Sequence, residues 1–187
     1  MKNVWVGTDW HVWSAGHTPH HPYQSVSNIR QLSDSYANDI QVDDVFIYLG
    51  DLCDPAVTDL NELKRLVQNI PGYKILVKGN HDTETDYFYR DIGFDEVCDV
   101  CVINQVAFSH FPLKVEPDMI NIHGHLHSEK RSDVDDANHI NAYREDYYKH
   151  PIEISELIQG AYDKWLKDRA VHKTGEITDA KTGKVYD

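Results

Sequence analysis

The residues with the most chemical capacity lie in one run, Ile120-Asn121-Ile122-His123-Gly124-His125-Leu126-His127-Ser128. An apolar segment meets a glycine and then carries histidines two residues apart. Extended backbone at this point sends the rings of His125 and His127 the same way. Gly124 lets the backbone come close to whatever those rings hold. Two neutral imidazoles converging from one short loop suggest a metal site. Gly-His-x-His alone is an ordinary loop sequence, and its weight here comes from four other places in the chain.

Each of those four is the end of an apolar run. Residues 4–8 lead into Asp9 and His11, and residues 45–49 lead into Gly50-Asp51-Leu52-Cys53-Asp54. Residues 73–78 lead into Gly79-Asn80-His81-Asp82, and residues 105–108 lead into Ser109-His110. Runs of this length bounded by turn residues predict strands, and the unbroken run 45–49 predicts one buried on both faces. In α/β folds ligand sites collect at the carboxyl ends of strands. Taken singly, Asp51 or Asp54 caps a turn, Asn80 sits in a left-handed turn, and His110 is a core histidine. Five metal-competent endings at one topological position point instead to one shared site.

The intervening segments predict the elements that position these ends. A helix opens at Ser25 or Ser27 and runs to about residue 38, with Ile29, Leu32, Tyr36 and Ile40 as its apolar stripe. A second opens at Thr58 or Asp59, carries Leu60, Leu63, Leu66, Val67 and Ile70, and stops at Pro71-Gly72. Residues 83–92 predict a short helix or turn. Residues 97–103 and 105–108 predict two strands joined by a tight turn near Asn104. A strand at 139–143, a helix at 155–165 and a polar tail, disordered or a weak hairpin around Lys181-Thr182-Gly183, complete the chain.

With 187 residues and a 41% hydrophobic share, the chain is expected to form a single domain over 1–170, followed by a polar tail at 171–187. Its net charge of −13 argues against a surface that coats long nucleic acid or an anionic membrane. It does not exclude an anionic substrate, because bound divalent metal reverses the field inside one pocket. Three cysteines, Cys53, Cys98 and Cys101, are too few for a disulfide framework and suggest a reducing, cytoplasmic setting. The single Cys98-x-x-Cys101 pair reads as structural. The N-terminal apolar run is too short for the signal-peptide core expected of an exported chain, and no run elsewhere is long enough for a membrane span.

Asp9-x-His11, Gly50-Asp51-x-x-Asp54, Gly79-Asn80-His81-Asp82, His110 and Gly124-His125-x-His127, in this order, resemble the motif set of the calcineurin-like metallophosphoesterases. The resemblance covers residues 1 to about 127 with all five motifs complete. Residues 140–151 are similar to the segment that follows the Gly-His-x-His loop in small bacterial and phage members. The resemblance implies an α/β fold of the four-layer αββα sandwich type. It also implies two divalent ions, one held by Asp9, His11, Asp51 and His127, the other by Asp51, Asn80, His110 and His125, with Asp51 bridging. Mixed oxygen and nitrogen ligation leaves Mn, Fe, Zn, Co and Ni open, manganese being the first expectation.

By the same resemblance, the activity is hydrolysis of a phosphoester by a metal-bridging hydroxide. His81 faces the substrate as a general acid or as a stabiliser of phosphoryl charge, and Asp54 orients it. His17, after Gly16, stands where small family members carry a substrate-facing histidine, although the spacing here is longer. His20 and His21 read as solvated, His123 as structural, and Asp82 as a buttress of its loop. Pro55 occupies the position at which the family's protein phosphatases carry a phosphate-gripping arginine. Small phosphodiesters or phosphomonoesters are therefore the expected substrates, with no nucleic-acid or membrane partner. The alternatives are a non-catalytic metal-binding scaffold on the same fold, or a nuclease.

Overall fold

The apolar runs identified from sequence become the central strands of two facing β-sheets. The computed structural model describes residues 3–12, 26–53, 59–127, 138–143, 150–172, 177–178 and 185–186. The first sheet contains β1 (Val4–Gly7), β2 (Val45–Tyr48), β3 (Tyr73–Val77), β4 (Glu96–Cys98) and β9 (Ile152–Glu153), in the order β4-β3-β2-β1-β9. Its strands pair in parallel except at β9, which runs antiparallel to β1. The second sheet is β5 (Val100–Ile103), β6 (Val106–Ser109), β7 (Ile120–His123) and β8 (His139–Asn141), in that order.

Strand alternation divides the apolar residues between two cores. Phe46, Tyr48 and Leu76 pack beneath α1 (Val26–Asp39), α2 (Leu60–Gln68) and α3 (Asp86–Ile92), meeting Ile29, Leu32, Tyr36, Leu63, Leu66 and Ile92. Ile47, Leu49, Ile75 and Val77 point the other way, onto Phe108, Ile122 and Ile140 of the second sheet. Each such side chain, once fully buried, contributes about 1.5–3 kcal/mol. Helix α4 (Ile154–His172) sets Leu157 into this intersheet core. The result is the layered α/β architecture expected from the motifs.

Several boundaries differ from the sequence reading. The run 97–103 is not one strand, because the chain leaves the first sheet after Cys98 and enters the second at Val100. Hydrophobic periodicity does not register that crossing, in which Val97 faces the helix-covered core while Cys98, Cys101 and Ile103 pack on the intersheet core. The turn at Asn104 is present, with φ +55°. Strand β9 is too short for a periodic signal, and α4 extends beyond residue 165. In the tail, β10 (Ile177–Thr178) and β11 (Val185–Tyr186) pair as an antiparallel hairpin.

The helices are capped as their sequences direct. Asp59 accepts a hydrogen bond from the Glu62 amide at the start of α2, and Thr85 accepts one from Phe88 at the start of α3. Gly93 ends α3 with φ +126°, a conformation for which glycine is the ordinary solution. Glu62, set inward on α2, binds Arg30 of α1 and Arg65 together, tying the two helices. These guanidinium contacts, opposed by partial burial, hold its carboxyl at about 2.

Candidate metal centre

Every predicted strand end that the structure describes arrives at one place. The loops after β1 and β2 continue pairing beyond their strands. Asp9 donates its amide to the Gly50 carbonyl at 3.0 Å, His11 to Asp51 at 3.0 Å, and Val12 to Leu52 at 2.9 Å. Across the second sheet the Gly124 amide donates to the His110 carbonyl at 3.1 Å. The two loop pairs meet where Gly124 packs on Thr8 and Asp9. A β-carbon there would collide with the Thr8 hydroxyl, so only glycine fits.

His125 and His127 reach the site by a different route from the extended one expected. His125 has φ +63°, and the Leu126 amide donates back to the Gly124 carbonyl at 2.7 Å. That is a γ-turn with positive φ at its centre, the rare and strained form. The turn removes the period-two relation between the rings, and the two histidines serve different groups of donors.

One group is formed by Asp9, His11 and His127 with Asp51 alongside. The Nε2 atoms of His11 and His127 lie 3.3 Å apart, and His127 Nε2 is 2.8 Å from Asp9 Oδ1. His11 Nε2 stands 3.8 Å from Asp9 Oδ1 and 3.6 Å from Asp51 Oδ2. The other group converges on His110. Its Nε2 lies 3.3 Å from Asp51 Oδ2, 3.1 Å from Asn80 Oδ1 and 3.2 Å from His125 Nδ1. Asp51 Oδ2 thus belongs to both. His110 Nδ1 donates to the Leu49 carbonyl at 2.7 Å, which fixes the tautomer and leaves the Nε2 lone pair facing the group.

The donor sets fit divalent metal. Ligand atoms about 2.1 Å from one ion stand about 3.0–3.4 Å from one another, and the separations above bracket that range. Both groups mix carboxylate oxygen with imidazole nitrogen, as first-row transition ions prefer. Electrostatics agree. Burial pushes the Asp9 carboxyl up, but hydrogen bonds to His11 and His127 outweigh it and hold the group well below the usual carboxylate range. Asp51 is likewise pushed up by burial and pulled further down by His110. Two ionised carboxylates at 1% and 2% exposure need cationic partners nearby. Burial lowers His125, keeping its ring neutral and able to ligate.

The chain matches the calcineurin-like phosphoesterase family over residues 2–183. It belongs to that family. Among solved structures it is similar to a protein of unknown function from Aquifex aeolicus, at 22% identity and a TM-score of 0.64. That likeness covers 85% of this chain and 99% of the other. It is also similar to the nuclease MPE of Pseudomonas putida, at 19% identity and a TM-score of 0.51, covering 66% of this chain and 61% of the nuclease. No curated protein matches the chain. Family membership and the His/Asp groups together support a metal-dependent phosphoesterase. Among the described residues no helix is long and apolar enough to cross a membrane.

In this family member His81 lies beside the donors. Its ring centroid is 5.0 Å from that of His11, and its amide donates to Asp51 Oδ1 at 2.8 Å. One ring nitrogen of His81 falls within 4.8 Å of donor atoms on His11 and Asp51. Asp54 and His17 lie outside the described residues. Asp82 is the buttress expected of it, accepting from the amides of Asp51 at 2.7 Å, Gly79 at 2.8 Å and Leu52 at 3.1 Å. Cys98 and Cys101 are free thiols raised by burial, Cys98 to about 11, which suits a packing role.

Two residues at the site carried no sequence signal. Tyr143 stacks on His127, centroids 4.7 Å apart and planes 12° from parallel. Phe111 leans on His125 and His110, at 4.5 and 4.9 Å between centroids. Neither occupies a motif position, and an aromatic residue in a loop has no spacing rule that exposes it.

Proposed function

We propose that this protein is a dinuclear metal-dependent phosphoesterase that hydrolyses small phosphodiesters or phosphomonoesters. The supporting observation is the shared carboxylate: Asp51 Oδ2 approaches both His11 and His110, so the two donor groups are joined through one atom. Asp9, His11, Asp51 and His127 would hold one ion, and Asp51, Asn80, His110 and His125 the other, manganese being the first candidate. Divalent ions bound there supply Lewis acidity and a hydroxide nucleophile at neutral pH.

The chain's own residues do the rest. Asp9 and Asp51 stay ionised and offset the cationic charge, so the pocket keeps only a modest net attraction for phosphate. Asp51 Oδ1 accepts the His81 amide, and the His81 ring lies beside His11 and Asp51. His81 then protonates the leaving alkoxide, and Asp54 orients it. A reducing, cytoplasmic setting accords with a chain of only three cysteines.

A nuclease is the second reading, favoured by the similarity to MPE of Pseudomonas putida. The charge of −13 favours the small-substrate reading. The deciding experiment is a screen of mono- and bis-p-nitrophenyl phosphate after chelation and reloading with each metal. Metal-restored turnover that is lost in Asp51→Asn supports the proposal. Metal uptake without turnover of either ester would favour a non-catalytic scaffold.

A further inference from the structure

Phe111 is 46% exposed, although it directly follows a buried candidate ligand and touches another. A lone exposed apolar side chain needs no explanation in itself. Two observations set this one apart. Its ring lies against His125 and His110, in the donor group that also contains Asn80.

Its backbone is also pinned by a buried polar network. The Ser109 hydroxyl donates to the Phe111 carbonyl at 2.6 Å and accepts from Asn121 Nδ2 at 2.8 Å. Asn121 Oδ1 in turn accepts the Leu113 amide at 2.8 Å, so the segment is held on both sides of the ring. Asn121 is fully buried and Ser109 nearly so. A rigid, half-exposed aromatic ring at the rim of a phosphate-binding centre is a stacking platform.

We propose that Phe111 binds a planar aromatic group carried by the phosphoester substrate, an aryl ring or a nucleobase, and so sets specificity. This rests on the reading of the donor groups as a phosphate-binding centre. A phosphate held between them projects its ester substituent outward, and an offset ring stack, about 4.5–7 Å between centroids, would form on the exposed part of the Phe111 ring. Stacking a base or aryl ring on such a platform shifts binding by about tenfold or more.

The test measures binding separately from turnover. Metal-loaded wild type and Phe111→Ala are titrated calorimetrically with phenylphosphonate, adenosine 5′-phosphorothioate and methylphosphonate, and metal content is measured alongside. The expected result is tighter binding of an aromatic ligand than of methylphosphonate by wild type. The variant should lose about tenfold on that ligand, less than twofold on methylphosphonate, and no metal. The aromatic ligand that loses more identifies the source as aryl or nucleoside. Phe111→Leu keeps apolar bulk without a π face and should show the same selective loss, and it decides the matter if the alanine variant does not fold.

Equal wild-type affinity for all three ligands, absence of binding, a uniform loss across ligands, or loss of metal with the ring would each overturn the proposal. If aromatic selectivity is lost in the variants while wild type hydrolyses no ester, the phosphoesterase reading fails and the stacking site stands.

Discussion

Removing the Asp82 carboxylate tests whether the ligand loops are held by buried hydrogen bonds or by metal alone. Asp82 is 3% exposed and accepts three backbone N–H groups from two different loops, at Asp51, Leu52 and Gly79. Two of these donors lie on or beside the shared carboxylate, and the third precedes Asn80. In Asp82→Ala all three amides lose their acceptor. Each buried unsatisfied donor costs about 1–3 kcal/mol. Water entering the space recovers part of this, so a net loss of about 3 kcal/mol is expected.

Asp82→Asn keeps the shape and one oxygen but turns an NH2 group toward an amide donor, and should lose about 1–2 kcal/mol. Urea unfolding of metal-free protein measures both losses, with the slope m compared across variants to confirm a stability change. Metal titration of the folded variants should show affinity reduced by about 10–100-fold, as for other residues that orient ligands. A loss below about 0.5 kcal/mol in the alanine variant would refute the reasoning. So would unchanged metal affinity, because the loops would then be set by something other than Asp82.

Elemental analysis of reconstituted wild type should give two ions per chain, and Asp51→Asn should retain one or none; a wild-type ratio fixed at one in excess metal removes the dinuclear proposal. His81→Ala should lower kcat by ~10²–10⁴ with both ions retained, Asp54→Asn should fall by less, and metal loss from His81→Ala would reassign His81 as a ligand. Glu62→Gln should lower Tm by about 3 °C at neutral pH. Because the folded carboxyl lies at about 2 against an ordinary 4.5, that stabilisation is complete above pH 4.5 and fades as pH falls toward 2, so the two melting curves should converge there. Turnover of a small diester should depend weakly on ionic strength, and a labelled oligonucleotide should be cut slowly; faster, steeply salt-dependent cutting of the oligonucleotide would move the nuclease reading ahead.

The parts of the fold legible in sequence were those written in periodicity. The run 45–49 had to be buried on both faces and the run 73–78 had to be a strand, and they form β2 and β3 in the middle of the first sheet. The Leu63, Leu66 and Val67 stripe had to face a core, and it does. What stayed hidden was pairing across long separations. Nothing local in Val97 to Ile103 shows that Cys98 ends one sheet and Val100 starts another. The assembly of Asp9, His11, Asp51, Asn80, His110, His125 and His127 was anticipated because the strand ends repeat one chemical theme. Phe111 and Tyr143 were not, because their roles arise from a network and a stack that form only after the sheets have met.

Backbone conformation supplies the last connection between these loops and their chemistry. Among the described residues, the non-glycine positions with positive φ are Asp9, His11, Asp51, Asn104 and His125. Four of the five are candidate ligands, each held in a region costing about 1 kcal/mol or more. Aspartate, asparagine and histidine are the residue types enriched in that region, and they are also oxygen and nitrogen ligands. A glutamate in place of Asp9 or Asp51 would keep the charge. Its longer chain would overshoot donors 3–4 Å away, and it would adopt the left-handed backbone less readily. The short motif residues are thus selected twice, once by the ion they face and once by the turn they occupy. Gly50, with φ +90° directly before Asp51, extends the turn where a β-carbon would strike the Gly79 amide. Asp82 and the paired backbones that follow β1 and β2 hold these strained turns in place, and with them donor atoms that lie 2.8–3.8 Å from one another.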